Sequence, residues 1–153
     1  MGIFDFVKGA GKKVEDDEAA FDEQLEERRK GNNLMRHVMG LGLEVEKLRV
    51  DYDDGVAVVT GEAKDQGTRE KVILAVGNTA GVAQVDDQMT VAEEEAVATM
   101  YTVQSGDTLG AIAKEFYGNA GKYPVIFEAN KPLLEDPNKI YPGQVLRIPS
   151  LDN

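Results

Sequence analysis

Cysteine is absent from this chain of 153 residues, which excludes both a disulfide framework and a thiolate metal site. Histidine occurs once, at His37, so no histidine-based zinc site can be built. Positive charge is scarce: 17 Lys and Arg stand against 28 Asp and Glu, a formal net charge of −11. Nucleic acid is excluded as a partner by that balance, because its phosphate backbone requires a basic face, and anionic membrane surfaces are disfavoured likewise. No apolar run approaches the roughly 20 residues needed to cross a bilayer, so membrane insertion is not expected. The start, Met1-Gly2-Ile3-Phe4-Asp5-Phe6-Val7-Lys8, lacks the basic segment and long apolar run of a secretory signal. Gly2 raises myristoylation, but Phe6 stands where Ser or Thr is wanted. The expected location is therefore cytoplasmic.

What is present concentrates in the last third of the chain. Tyr101-Thr102-Val103-Gln104 reads as a short strand, Ser105-Gly106 as a turn, and Asp107 as the N-cap of a helix. Leu109, Ile112, Ala113 and Phe116 recur at helical spacing, and Gly118 supplies a left-handed stop. Pro124 suits the first turn of a second helix that carries Ile126, Phe127 and Ala129 inward and ends at Asn130 and Pro132. Pro142-Gly143 has the residue types of a type II turn and launches a last strand with Val145, Leu146 and Ile148. Strand, helix, helix, strand in about fifty residues closes only if the two strands pair antiparallel. These anchors, from Tyr101-Thr102-Val103 through Gly106-Asp107-Thr108-Leu109 to Ile140-Tyr141-Pro142-Gly143-Gln144, resemble the LysM domain. That resemblance implies recognition of N-acetylglucosamine polymers in a shallow groove formed by Gly106, Asp107, Thr108, Leu109, Pro142 and Gly143. Each of these also has a role in the fold, as cap, turn or core, so the motif speaks first for the architecture.

Upstream, residues 14–31 form a charged stretch that reads as a solvated helix, with Phe21 and Leu25 as isolated apolar points. Gly31-Asn32-Asn33 is expected to break it and to cap a shorter helix from Leu34 to Met39. Val45 to Tyr52 and Val56 to Thr60 flank Asp53-Asp54-Gly55 and read as a hairpin. A helix from Asp65 to Val76 follows, with Val72, Ile73 and Val76 inward, then a third strand from Gly81 to Met89. Val91 to Met100 has linker composition. The order helix, strand, strand, helix, strand, with Gly61 and the passage Ala75-Val76-Gly77-Asn78, resembles a BON domain. The expected architecture is α+β: an N-terminal segment and charged helix over residues 1–31, an αββαβ BON domain over 32–91, a linker over 92–100 and a βααβ LysM domain over 101–150.

Taken whole, with Gly2-Ile3-Phe4-Asp5-Phe6-Val7-Lys8 at the start and Asp86-Asp87-Gln88 in the middle, the chain resembles the small cytoplasmic BON–LysM proteins that bind potassium. The resemblance implies K⁺ held by backbone carbonyls, with binding changing how the two domains sit together. K⁺ is large and weakly hydrated and suits a ring of neutral carbonyl oxygens, whereas carboxylate arrays favour Ca²⁺ or Mg²⁺. Free carbonyls occur where helices end, at the negative pole of the dipole. Two glycine-rich stretches qualify as such ends, and the resemblance carries the ligand set onto the carbonyls of Val7, Ala10, Lys12, Gly77, Thr79 and Val82.

Other chemistries find less support. Asp51, Asp53 and Asp54 alternate near a hairpin tip but lack the spaced glutamate of a calcium loop. Asp86-Asp87 reads as a solvated strand end, and His37 as a surface residue of its helix. No carboxylate pair stands out for acid–base work, so the chain is expected not to be an enzyme. K⁺ is the implied cofactor and partner; a peptidoglycan-like glycan in the LysM groove is the alternative, and a scaffold between protein partners the third. A monomer is expected.

Overall fold

A computed structural model describes residues 2–6, 11, 23–94 and 96–151. Asp54 and Gly55 adopt φ of 45° and 85°, the left-handed pair that reverses a chain in two residues. Strands β2 (Val45–Asp53) and β3 (Val56–Asp65) therefore pair antiparallel, with Asp53 opposite Val56. Asp65 ends β3 and caps helix α2 (Gln66–Gly77): its carboxylate accepts the Thr68 N–H at 2.8 Å. That backbone hydrogen bond, above all, holds the Asp65 carboxyl below its usual pKa. Helix α2 returns the chain to β4 (Gln84–Glu93), which lies parallel to β3. On the far side of β4, strand β1 (Gly2–Asp5) adds antiparallel and completes a sheet in the order β1-β4-β3-β2. The third strand thus runs from Gln84 to Glu93 rather than from Gly81 to Met89. Gly81 turns at φ 96°, and the chain straightens only where the Ala83 and Gln84 N–H groups reach the Gly55 carbonyl.

Helix α1 (Glu23–Gly40) is continuous through Gly31-Asn32-Asn33, contrary to the expected break. Gly31 is there because the helix presses on the hairpin: a Cβ at that position would stand 2.7 Å from the Val50 carbonyl oxygen. One and two turns on, Leu34 and Val38 are fully buried against Val50, Val59 and Val72. Asp87 also departs from expectation. It is 3% exposed, its carboxylate accepting from Arg69 Nε at 2.8 Å and from the Met89 N–H at 3.0 Å.

The second unit begins at β5 (Thr99–Thr102), followed by α3 (Leu109–Tyr117), a 3-10 turn (Ala120–Lys122), α4 (Tyr123–Ala129) and β6 (Val145–Ile148). Strands β5 and β6 pair antiparallel over a core of Val103, Leu109, Ile112, Ile126, Leu134 and Leu146. Gly118 stops α3 at φ 75° and Gly143 completes a turn at φ 89°, as their positions require. The N-cap of α3 is Thr108, whose hydroxyl accepts from the Ala111 N–H, and not Asp107. Asp107 instead accepts from the Tyr101 hydroxyl and the Gln104 N–H, which ties the turn to β5. Phe116 is 38% exposed rather than core and meets Tyr101 edge to face, with ring centroids 5.5 Å apart.

Candidate functional site

Helix α2 is the element on which both units rest. Val72, Ile73 and Val76 face the sheet as expected, yet Leu74 and Ala75 are equally buried. The second unit packs on the helix through β6, so residues 72–77 are buried all round, while Gln66, Thr68, Arg69 and Lys71 in the first turns stay half-buried.

At its C-terminal end the chain coils tightly. The Asn78 N–H donates to Leu74 O at 2.8 Å, Thr79 N–H to Val76 O at 3.2 Å and Val82 N–H to Thr79 O at 3.2 Å. Thr79 is fully buried, with its hydroxyl donating back to Ala75 O at 2.9 Å. Among the described residues, no backbone N–H donates to the carbonyls of Gly77 or Val82. The Gly81 carbonyl is engaged by the Tyr52 hydroxyl at 2.8 Å. Gly77, Thr79 and Val82 thus lie within six residues of one another at the end of α2, and among the described residues the Thr79 carbonyl accepts from the Val82 N–H.

Val7, Ala10 and Lys12 lie outside the described residues. Their described neighbours reach this loop from both sides. The Phe6 N–H donates to Ala83 O at 2.8 Å, and its ring lies where a Cβ on Gly77 would stand, at 2.0 Å. Gly11, at φ 94°, touches the Asn78 carbonyl so closely that a Cβ would come within 1.7 Å of it. The helix end expected over Val7 to Lys12 falls outside the described residues, apart from Gly11; strand β1 precedes it and ends at Asp5.

The donor chemistry is that of neutral main-chain oxygens at the negative end of a buried helix. Among the described residues no cluster of three or more His, Cys, Asp or Glu is placed to hold a metal. This loop therefore fits a large monovalent cation better than a small divalent one. The hairpin tip is a turn: Asp51 pairs with Arg49, and the Asp54 N–H donates to Glu27 at 2.8 Å.

Among the described residues, Glu70 in the middle of α2 and Asn78 at its C-cap join the units, and neither is marked for that role in the sequence. Glu70, 1% exposed, accepts from Arg147 Nε of β6 at 2.8 Å and from the Ala98 N–H of the connector at 3.0 Å. Asn78 bonds the backbone of Val145 in both directions, donating to its carbonyl at 2.9 Å and accepting from its N–H at 2.8 Å. Between the units lies a cavity of about 310 Å³ lined by His37, Leu41, Leu74, Glu135 and Tyr141 among others. His37 is half-buried there rather than on an open surface, and burial pushes the Tyr141 hydroxyl pKa up.

Two loops of the second unit meet at the second candidate site. Gly143 N–H donates to Val103 O at 2.9 Å, which sets the Pro142-Gly143 turn beside the loop that runs through Gly106, Asp107 and Thr108. Gly106, Thr108 and Pro142 are exposed, whereas Leu109 and Gly143 are buried and serve the fold.

Comparison with known proteins agrees with this division. Residues 36–93 match the BON domain and residues 101–149 the LysM domain. The chain is 47% identical over 150 residues to the potassium binding protein Kbp of Escherichia coli O6:H1, covering 97% of this chain and 99% of that one. A Mycobacterium tuberculosis esterase is 52% identical over 50 residues, 33% of this chain but 10% of the esterase. An uncharacterized protein of Deinococcus radiodurans is 42% identical over 57 residues.

Proposed function

Because the chain belongs to the BON–LysM family of the potassium binding protein Kbp, we propose that it binds K⁺ through main-chain carbonyls and serves as an ion sensor or buffer. The donors in this reading are Val7, Ala10 and Lys12 of the N-terminal segment with Gly77, Thr79 and Val82 of the loop after α2. The observation that carries it is the half-buried coil at 77–82, with two carbonyls that no described backbone N–H engages and the N-terminal segment drawn against it at Phe6 and Gly11. Main-chain oxygens spaced by a rigid coil favour K⁺ over Na⁺, because the smaller ion cannot recover its hydration energy from them. A cytoplasmic location belongs to the same reading; no helix among the described residues is long and apolar enough to cross a membrane. The relative that spans the chain is named for binding rather than catalysis.

Calorimetric titration with KCl against NaCl tests the proposal, together with the scattering radius in each salt. Selective heat with KCl and a smaller radius are expected; equal heats and an unchanged radius would remove it. Gly77→Ala sharpens the test, since the added methyl displaces the Phe6 ring and draws the N-terminal segment away. Its K⁺ affinity is expected to fall at least tenfold, about 1.4 kcal/mol, while the protein stays folded.

A glycan in the LysM groove is the second reading, favoured by the exposed rim of Gly106, Thr108 and Pro142. Retention on purified peptidoglycan, released by soluble N-acetylglucosamine oligomers, is the outcome that would support it.

A further inference from the structure

Strand β6 is the edge of a two-stranded sheet. On its inner side Thr102 lies opposite Val145 and Met100 opposite Arg147. Its outer side presents the N–H and C=O groups of those same two residues, which an isolated edge would leave to water. Two asparagines close that side. Asn130, at the end of α4, donates to Arg147 O at 2.9 Å and accepts from the Arg147 N–H at 2.9 Å. Asn78, from the other domain, repeats the same two-bond pattern on Val145. A carboxamide carries one acceptor and two donors side by side, so each asparagine stands in for one residue of a third strand.

Asn130 and Asn78 differ in what their backbones belong to. Asn78 caps α2 and sits between Gly77 and Thr79, and its own carbonyl abuts Gly11. Its main chain is therefore part of the proposed ion loop while its side chain is part of the LysM edge. We propose that Asn78 is the positioning residue that couples K⁺ binding to docking of the LysM domain. A shift of the loop on ion binding reorients the Asn78 side chain, which either meets Val145 with both bonds or misses it. Glu70, two turns before the loop in α2, and Arg147 of β6 hold the domains together through a separate ion pair and so set a background that the ion does not change. This inference rests on the K⁺ reading above.

The test follows backbone amide shifts of the full chain titrated with KCl and with NaCl, in wild type, Asn78→Ala, Asn78→Ser and Glu70→Gln. Serine keeps a polar helix cap but is too short to reach Val145, so it guards against a folding defect of the alanine variant; β2 and β3 amides report that the fold is intact. In wild type, K⁺-specific shifts are expected both at 77–83 and at 145–148. In both Asn78 variants the shifts at 145–148 are lost, those at 77–83 persist, and apparent K⁺ affinity falls about tenfold, within the usual span of coupling between sites. Glu70→Gln is expected to displace the 145–148 amides equally in both salts and to leave their K⁺ response unchanged. If the Asn78 variants keep the K⁺ response at 145–148, or show only a salt-independent offset, the coupling role is overturned and K⁺ binding stands. If wild type does not distinguish KCl from NaCl at 77–83, the K⁺ reading falls and takes the coupling with it.

Discussion

The last strand of each domain finds its backbone partners by different means. In the BON domain β4 is flanked by β1 and β3, and a long register of backbone pairs carries its order. In the LysM domain β6 has one strand neighbour, and the opposite side is closed by the side chains of Asn78 and Asn130. A ladder distributes its hydrogen bonds over many residues, so one substitution disturbs packing but leaves the backbone paired. An edge closed by side chains concentrates the same satisfaction in two residues, and removing either strands buried groups. The smaller domain is thus the more sensitive to single polar changes, and half of its edge is supplied by its neighbour.

The largest effect expected from this contrast is at Asn130, which is 1% exposed and also donates to Ile126 O at 2.7 Å. Asn130→Ala leaves three backbone groups without their partner and is expected to cost about 2–4 kcal/mol in urea denaturation of the full chain. A loss no greater than that of a packing change in the BON domain would break the comparison.

Gly31→Ala supplies that packing change. In an exposed helix the substitution would gain up to about 1 kcal/mol. Here the methyl meets the Val50 carbonyl, so a loss of roughly 1–3 kcal/mol is expected as α1 lifts from β2. A stabilised variant would show that helix and hairpin are not pressed together.

The smallest effect is confined to alkaline pH. The hydrogen bond to Asp107 raises the Tyr101 hydroxyl from 10.0 to about 12. The folded state holds that proton more tightly than the unfolded chain, so the contribution is complete below pH 10. It declines as pH rises from there through the folded value near 12. Tyr101→Phe is expected to flatten stability across that window, and an unaltered slope in alkaline denaturation would place the alkaline sensitivity elsewhere.

Legibility followed the same division. The LysM turns were readable because Pro124 and Pro142 fix their own φ while Gly118 and Gly143 admit the positive φ that a stop or turn needs, and Asp54-Gly55 likewise announced the hairpin. Local residues were also misread where a distant partner decided their use. Gly31 looked like a helix stop and is a point of close approach; Asp87 looked solvated and is buried against Arg69. Asp107 looked like a cap because nothing nearby revealed that the Tyr101 hydroxyl would claim it. The ion loop is the extreme case, since ligands drawn from the main chain place little demand on side-chain identity.

By itself, the order of residues determined the α+β class, the succession of BON and LysM elements and the acidic, cysteine-free character of the surface. These depend on dihedral preference, apolar spacing and charge, all of which act within a few positions. Tertiary structure alone decided that the C-terminal half of α2 would be buried on both faces, that Glu70 would meet Arg147 across 77 positions, and that Asn78 would complete a strand 67 positions away. The physical reason is that hydrogen-bonding groups are satisfied by whatever the fold brings within about 3 Å, and that distance is indifferent to separation along the chain.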